Sequence, residues 1–375
     1  MFYQIAVLLS SFVLTYFIVK SSDWHSHLST DHEHGPQKLH SGSVPRVGGL
    51  GIYLSLIIFV TTKFLLEKNP DSAFLVFFMC TVPCFVIGIR EDITKKVGVK
   101  LRLLFTAISA AIGIYFLDGL IYHVDLPYLD DLLKIRGFSY LLTIFAITGI
   151  SNAYNIIDGL NGLASMVGIV SLLAIYYVAY LFDDHYIIFL AQILIASILG
   201  FLLWNYPKGK IFLGDAGAYL IGFCSGFLSL LLVDRHAEIS PWFALLINFY
   251  PIFETLYSIF RRKLNDNQDP TAPDAEHFHS LVYFCLKNRA STQIGKDQKL
   301  ALWINNAQAS SLLWILPILC AVPAVLFFDN TLILQMFAGL FCLTYILIYK
   351  LLIKAKTNSV NTEMVKEASV QNGLI

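Results

Sequence analysis

The chain has 375 residues, 57% of them apolar and only 14% charged, and its 26 Lys and Arg balance its 26 Asp and Glu. Soluble domains run roughly 45–50% apolar and about 25% charged, so this composition, with a mean hydropathy of +0.66, excludes an ordinary water-soluble domain. Zero net charge excludes a global field that would draw nucleic acid.

A bilayer core about 30 Å thick takes about 20 apolar residues in a helix. Eleven stretches qualify: 1–20, 47–66, 73–90, 101–118, 138–157, 163–182, 186–204, 214–233, 241–260, 309–328 and 331–350. The fold class predicted is all-α: a polytopic integral membrane protein of about 11 transmembrane helices. No basic residue precedes the first stretch, which therefore reads as a retained helix rather than a cleaved signal. With the N-terminus outside, only Lys63, Lys68, Lys134, Arg136 and Arg235 of all the Lys and Arg fall on outer segments. That bias predicts an N-out, C-in protein. It puts the inner loops at 21–46, 90–100, 205–213 and 261–308 of a single transmembrane catalytic domain, 1–355. A polar tail, 356–375, reads as a disordered cytoplasmic extension. The six cysteines show no metal or redox spacing and read as packing residues.

Polar residues at the ends of spans are costly and mark function. In chain order, the first cluster runs from Asp31 through Lys38 to Val44-Pro-Arg46-Val-Gly48-Gly49, a Gly/Pro-shaped basic loop that suits either diphosphate contact or a plain connection. Its histidines are too irregularly spaced for a metal site. Next, Gly88-Ile-Arg-Glu91-Asp92 ends the third span before a basic rim reaching Arg102. Adjacent helical residues point about 100° apart, so only one of the two acids aims at a common ion and the other supports it; a solvated loop start is the alternative. Asn152, Asn155 and Asp158 share one helical stripe, followed by Gly159, Asn161 and Gly162, whose glycines let backbone N–H groups approach a ligand. A polar helix C-cap is the alternative there. Phe212-Leu-Gly214-Asp215 opens the eighth span. A carboxylate in a first turn is favoured by the helix dipole. It serves as a cap or holds Mg²⁺, which binds through one or two carboxylates plus substrate phosphates. Last, His277 and His279 alternate in the long inner loop, able to donate to phosphates or to sit solvated; zinc spacing is lacking. By the charge count, all five clusters lie on the inner rim.

These motifs, from residue 31 to about 285, resemble the polyprenyl-phosphate N-acetylaminosugar-1-phosphate transferases, glycosyltransferase family 4. That family includes the enzymes starting O-antigen and enterobacterial common antigen, and the phospho-MurNAc-pentapeptide translocase. The resemblance implies transfer of an N-acetylaminosugar-1-phosphate from a UDP-sugar to polyprenyl phosphate, such as undecaprenyl phosphate, with release of UMP. It also implies Mg²⁺, with Mn²⁺ as a substitute, and an inner (cell) membrane enzyme active on the cytoplasmic face in surface-glycan synthesis. Glu91, Asp92, Asp158 and Asp215 are then the catalytic acids, with Asp215 and Asp92 as metal ligands. Lys38, Arg46, Asn152, Asn155, Asn161, Phe212, Gly214, His277 and His279 contact substrate. A homodimer stays open, and nucleic acid is not a partner.

Two positions depart from the family pattern: Glu91 stands where Asp is usual, and Asn161 where a second Asp is common. Two histidines with one residue between, rather than a consecutive run, favour surface glycan over peptidoglycan. A transporter, the rival of another class, calls for acids near the midplane of several spans; here they sit mainly at inner ends. The reaction implied is direct attack of the lipid phosphate on the sugar-linked phosphorus, in competition with a covalent phosphosugar on an acid.

Overall fold

The computed structural model describes residues 2–22, 30–31, 44–68, 71–264, 276–290 and 298–371. Its helices, in order, are α1 (Phe2–Lys20), α2 (Gly48–Leu66), α3 (Ser72–Thr94), α4 (Val99–Leu117), α5 (Pro127–Leu133), α6 (Arg136–Ile157), α7 (Leu163–Leu181) and α8 (His185–Asn205). There follow α9 (Gly214–Arg235), α10 (Pro241–Ile247), α11 (Phe249–Leu264), α12 (Phe278–Ala290), α13 (Gln298–Leu313), α14 (Ile315–Leu326) and α15 (Thr331–Gln371). One two-residue antiparallel pairing, β1 (Thr30–Asp31) with β2 (Val44–Pro45), lies between α1 and α2.

Ten helical segments of the described residues are long and apolar enough to cross a bilayer, and α10 with α11 makes an eleventh if that bent pair counts as one span. The chain is thus an all-α, multi-pass membrane protein. Large apolar side chains such as Phe2, Leu9, Phe17, Leu340 and Leu347 face outward, as a lipid environment requires. The centre is α9, in which every residue from Gly214 to Leu232 is buried. It packs against α2, α3, α4, α6, α7 and α10. A helix apolar on all sides belongs inside a bundle, and small residues such as Gly217, Ala218 and Gly222 let its neighbours come close.

The stretch 241–260, expected to be one straight span, is broken at Asn248 with a bend of 72°. The cause is local. Pro251 has no N–H to return to the Ile247 carbonyl four residues earlier. That carbonyl instead accepts from Ser171 Oγ (2.8 Å), and Asn248 Oδ1 accepts from Ser225 Oγ (2.7 Å) and from Tyr154 OH (3.2 Å). A broken helix survives at membrane depth only when its freed groups are satisfied in this way. Two further departures concern the C-terminal part. The tenth expected span begins at Trp303 rather than 309, and the described residues of 261–308 are mostly helical, in the end of α11, in α12 and in α13. And α15, expected to span 331–350, continues to Gln371.

Candidate active site

The site forms around the first turn of α9. The segment Phe212–Asp215 is strapped to the entry of α2 by backbone hydrogen bonds: Phe212 N–H donates to the Pro45 carbonyl (2.8 Å), Gly48 N–H to the Phe212 carbonyl (2.9 Å) and Gly49 N–H to the Leu213 carbonyl (2.8 Å). Two clusters far apart in sequence thereby become one seam, which brings Arg46 beside Asp215. Gly214 adopts φ +77°, a left-handed conformation in which a side chain is strained. A Cβ there would also lie 2.7 Å from Asp92 Oδ2.

A helix start leaves its first N–H groups without partners, and Leu213, at the N-cap of α9, offers no side-chain acceptor. Asp92 supplies one from the end of α3. Its Oδ1 accepts from Asp215 N–H (2.8 Å) and its Oδ2 from Ala216 N–H (3.0 Å), with the side chain fully buried. The reach depends on Gly88, one turn earlier on the same face of α3. A Cβ at Gly88 would sit 2.6 Å from the Ala216 nitrogen.

Asp215 itself points at two guanidinium groups. Arg46 Nη2 donates to Oδ1 (2.8 Å) and Arg102 Nη1 donates to Oδ2 (2.6 Å), with the Asp215 side chain only 5% exposed. Arg46 Nε also lies 3.7 Å from Asp92 Oδ1. Asp158, the C-cap of α6, is the third carboxylate here, with Gly214 N–H, Arg46, Asp92 and Asp215 as its electrostatic neighbours. Burial pushes its carboxyl well above the ordinary carboxylate range; Asp215 and Asp92 push the same way, and Arg46 opposes them. Asn155 and Asn152 lie about one and two turns before it, both half-buried.

Glu91 points elsewhere: its Oε2 accepts from Val97 N–H (2.7 Å), which closes the turn after α3. Asn161 is likewise structural in its contacts. Its Nδ2 donates to the Pro207 carbonyl (3.1 Å), and its backbone N–H donates to Asn306 Oδ1 (2.9 Å). An Asp here has no hydrogen to give Pro207. Asn161→Asp is therefore expected to lower stability by about 1–3 kcal/mol, read as a lower thermal unfolding midpoint in detergent. Asn205 completes this staple, accepting from Gly162 N–H (2.5 Å) and donating to the Ile211 carbonyl (2.7 Å).

His279 is 4% exposed, and the edge of its ring carrying Nε2 lies against Gly159, where a Cβ would strike it. This sets α12 against the turn that carries Asp158. His277 stacks parallel to His279, with an interplanar angle of 9°. Phe212 is half-buried at the rim. Lys38 lies outside the described residues.

The structure thus brings together Arg46, Asp92, Asp158, Gly214, Asp215 and, across the turn, His279; Glu91 and Asn161 bond away from the cluster. Arg102, Glu254 and Asn205 are residues to which sequence reasoning gave no role of their own. Glu254 had a visible signal, being an acid inside the apolar run of α11. Arg102 was one of several basics on a rim, and nothing in one sequence separates it from Lys95 or Lys100.

Among the described residues, no three His, Cys, Asp or Glu side chains converge as a ready-made metal cage. Mg²⁺ does not need one, since it uses one or two carboxylates together with phosphate oxygens. The donor set is hard, all-oxygen and crowded with like charge. Asp92, Asp158 and Asp215 supply that chemistry, so the residues fit the ion.

The sequence model described as glycosyl transferase family 4 matches residues 74–233, which run from α3 through most of α9. The chain is 33% identical over 263 residues to the "Probable undecaprenyl-phosphate N-acetylglucosaminyl 1-phosphate transferase" of Bacillus subtilis, covering 69% of this chain and 71% of that one. It is 30% identical over 254 residues to the undecaprenyl-phosphate alpha-N-acetylglucosaminyl 1-phosphate transferase of Escherichia coli K12, covering 66% and 67%. The protein of that name in Thermotoga maritima is 28% identical over 271 residues, covering 72% and 75%.

Proposed function

The chain belongs to glycosyl transferase family 4, and from that premise we propose that it transfers an N-acetylaminosugar-1-phosphate, GlcNAc-1-phosphate first among them, from a UDP-sugar to undecaprenyl phosphate. UMP is the other product. The observation that carries this reading is the first turn of α9, where Asp92, Asp158 and Asp215 meet Arg46 and Arg102 at the end of an apolar bundle. We place this end at the cytoplasmic face of the cell membrane, because the basic residues concentrate there. The names of the relatives support the lipid acceptor and the sugar. The two separated histidines support a surface-glycan substrate over the peptidoglycan precursor.

The chemistry joins two anions. A phosphate monoester has its second pKa near 6 and is mostly dianionic at neutral pH, so the acceptor needs little deprotonation. The obstacles are repulsion and alignment. In the direct route, an oxygen of the lipid phosphate bonds to the sugar-linked phosphorus, the bond from that phosphorus to the oxygen bridging to UMP breaks, and UMP leaves with the electron pair. Mg²⁺, held by Asp215 with Asp92, would supply charge neutralisation at the diphosphate. Arg46 and Arg102 stand ready to move from Asp215 onto phosphate oxygens, since bidentate guanidinium–phosphate contacts are among the stronger polar interactions. His279 flanks the same turn and suits a phosphate donor. Asn155 and Asn152 offer amides to the sugar or ribose. Capping of α9 by Asp92 holds the backbone of the first turn, and with it the position of Asp215, in place.

The test is UMP release by detergent-purified protein given undecaprenyl phosphate, Mg²⁺ and a panel of UDP-N-acetylaminosugars. Release with UDP-GlcNAc fits the proposal, and release with another such sugar corrects only the sugar. No release with any of them would favour an ion-coupled transporter, the reading from another class.

A further inference from the structure

We propose that Glu254 is a positioning residue for this transfer: it holds the His279 ring in one orientation and one tautomer, with Nε2 turned toward the Asp158–Gly159 turn where the donor diphosphate binds. The inference rests on the donor reading above. Glu254 is fully buried on α11, and an acid in an apolar run is expensive unless it has a partner and a purpose. Its partner is plain. Glu254 Oε1 lies 2.9 Å from His279 Nδ1 and 3.8 Å from His277 Nδ1, while Ser258 Oγ, one turn further along α11, lies 3.1 Å from His277 Nδ1. The two imidazoles are parallel, with centroids 5.4 Å apart, so both show their Nδ1 edges to α11.

A carboxylate only accepts, so the hydrogen in the His279–Glu254 bond belongs to Nδ1. That leaves Nε2 as the outward edge, and the outward edge touches Gly159. A helix pair merely pinned by a polar contact needs no particular edge turned to the acid cluster. Here the pin selects the ring face, the tautomer and the target together, as carboxylates do for histidines that serve a bound ion. With both ring nitrogens protonated, Nε2–H would donate to a phosphate oxygen while Glu254 balances the ring's charge. Glu254 Oε1 is the oxygen that meets His279, and the Tyr250 hydroxyl is the carboxylate's other polar neighbour.

The experiment is a double-mutant cycle on UMP release by the purified full-length protein, with UDP-GlcNAc varied at saturating undecaprenyl phosphate. Glu254→Gln keeps the shape and removes the charge. It is expected to lower kcat/KM for the donor on the order of 10–100-fold, and to change little further when His279 is already Asn. Equal losses from Glu254→Gln in both backgrounds would overturn the inference, because a merely structural acid acts without His279. Selective ¹⁵N-histidine NMR of the wild-type protein provides a readout that does not depend on variants folding. A protonated His279 Nδ1 supports the proposal, and a bare Nδ1 with the proton on Nε2 overturns it. Wild-type protein that releases no UMP from any UDP-N-acetylaminosugar sinks the donor reading and this inference with it. Normal wild-type turnover with additive effects in the cycle sinks the inference alone.

Discussion

Replacing Asp215 by Asn is expected to cut UMP release about 10²–10³-fold while the protein stays folded. Asp215 sits in the first turn of a buried helix and is reached by two arginines from different elements. Asn keeps the side-chain shape, and its oxygen still accepts from one of the two. Its amide then faces the other guanidinium, donor against donor. The arginine side chains are 27% and 19% exposed, so water takes up part of that loss, and the stability cost stays near 1–3 kcal/mol. The negative charge that would share the cation has no such substitute. Turnover and the thermal midpoint, measured on one preparation, should therefore separate: a large fall in rate and a shift of a few degrees.

Asp92→Asn is expected to show the reverse balance, with stability hit hardest. Each Asp92 oxygen accepts one N–H of α9, and the residue is fully buried. An amide can satisfy only one of them; its NH₂ would confront the other. That costs about 1–3 kcal/mol. Removal of an anion from a helix N-terminus adds about 0.3–2 kcal/mol. The thermal midpoint should fall further than for Asp215→Asn, and activity should fall with it because Asp215 rides on the same turn. A variant as stable as wild type would show that α9 does not depend on this cap. The contrast matters because Asp92 and Asp215 look alike in sequence, each an acid at a span end, yet the structure gives one the backbone of a helix and the other two side-chain cations.

Much of this was legible beforehand. The apolar stretches correspond to the spanning helices because a bilayer length imposes itself on each segment separately. The polar clusters were visible for the same reason, since intramembrane polar groups stand out singly. What one sequence does not carry is pairing. That Asp92 caps a helix 123 residues later, or that Pro45 and Gly48 bond the backbone of Phe212, depends on three-dimensional neighbours. The break at Asn248 was hidden because the apolar pattern runs straight through it. Only Pro251 and its missing N–H hinted at the freed carbonyl that Ser171 takes up. Asn161 departs from the acid common in the family, and its donated hydrogen bond to Pro207 gives that departure a structural use. Glu91 and Asp92 were separated in principle by their helical angle. Which of them faces α9 was decided by Gly88, whose missing side chain lets α3 approach on the Asp92 face.

The claim beneath all of these is that acids gathered at the start of α9 share a divalent cation, so that a lipid phosphate and a sugar diphosphate can meet. Its most direct test is UMP release from UDP-GlcNAc and undecaprenyl phosphate by protein stripped with a chelator, then titrated with metal. Release should be absent in the chelator and return with Mg²⁺, and with Mn²⁺ in its place. Undiminished release with all divalent metal chelated would contradict the account.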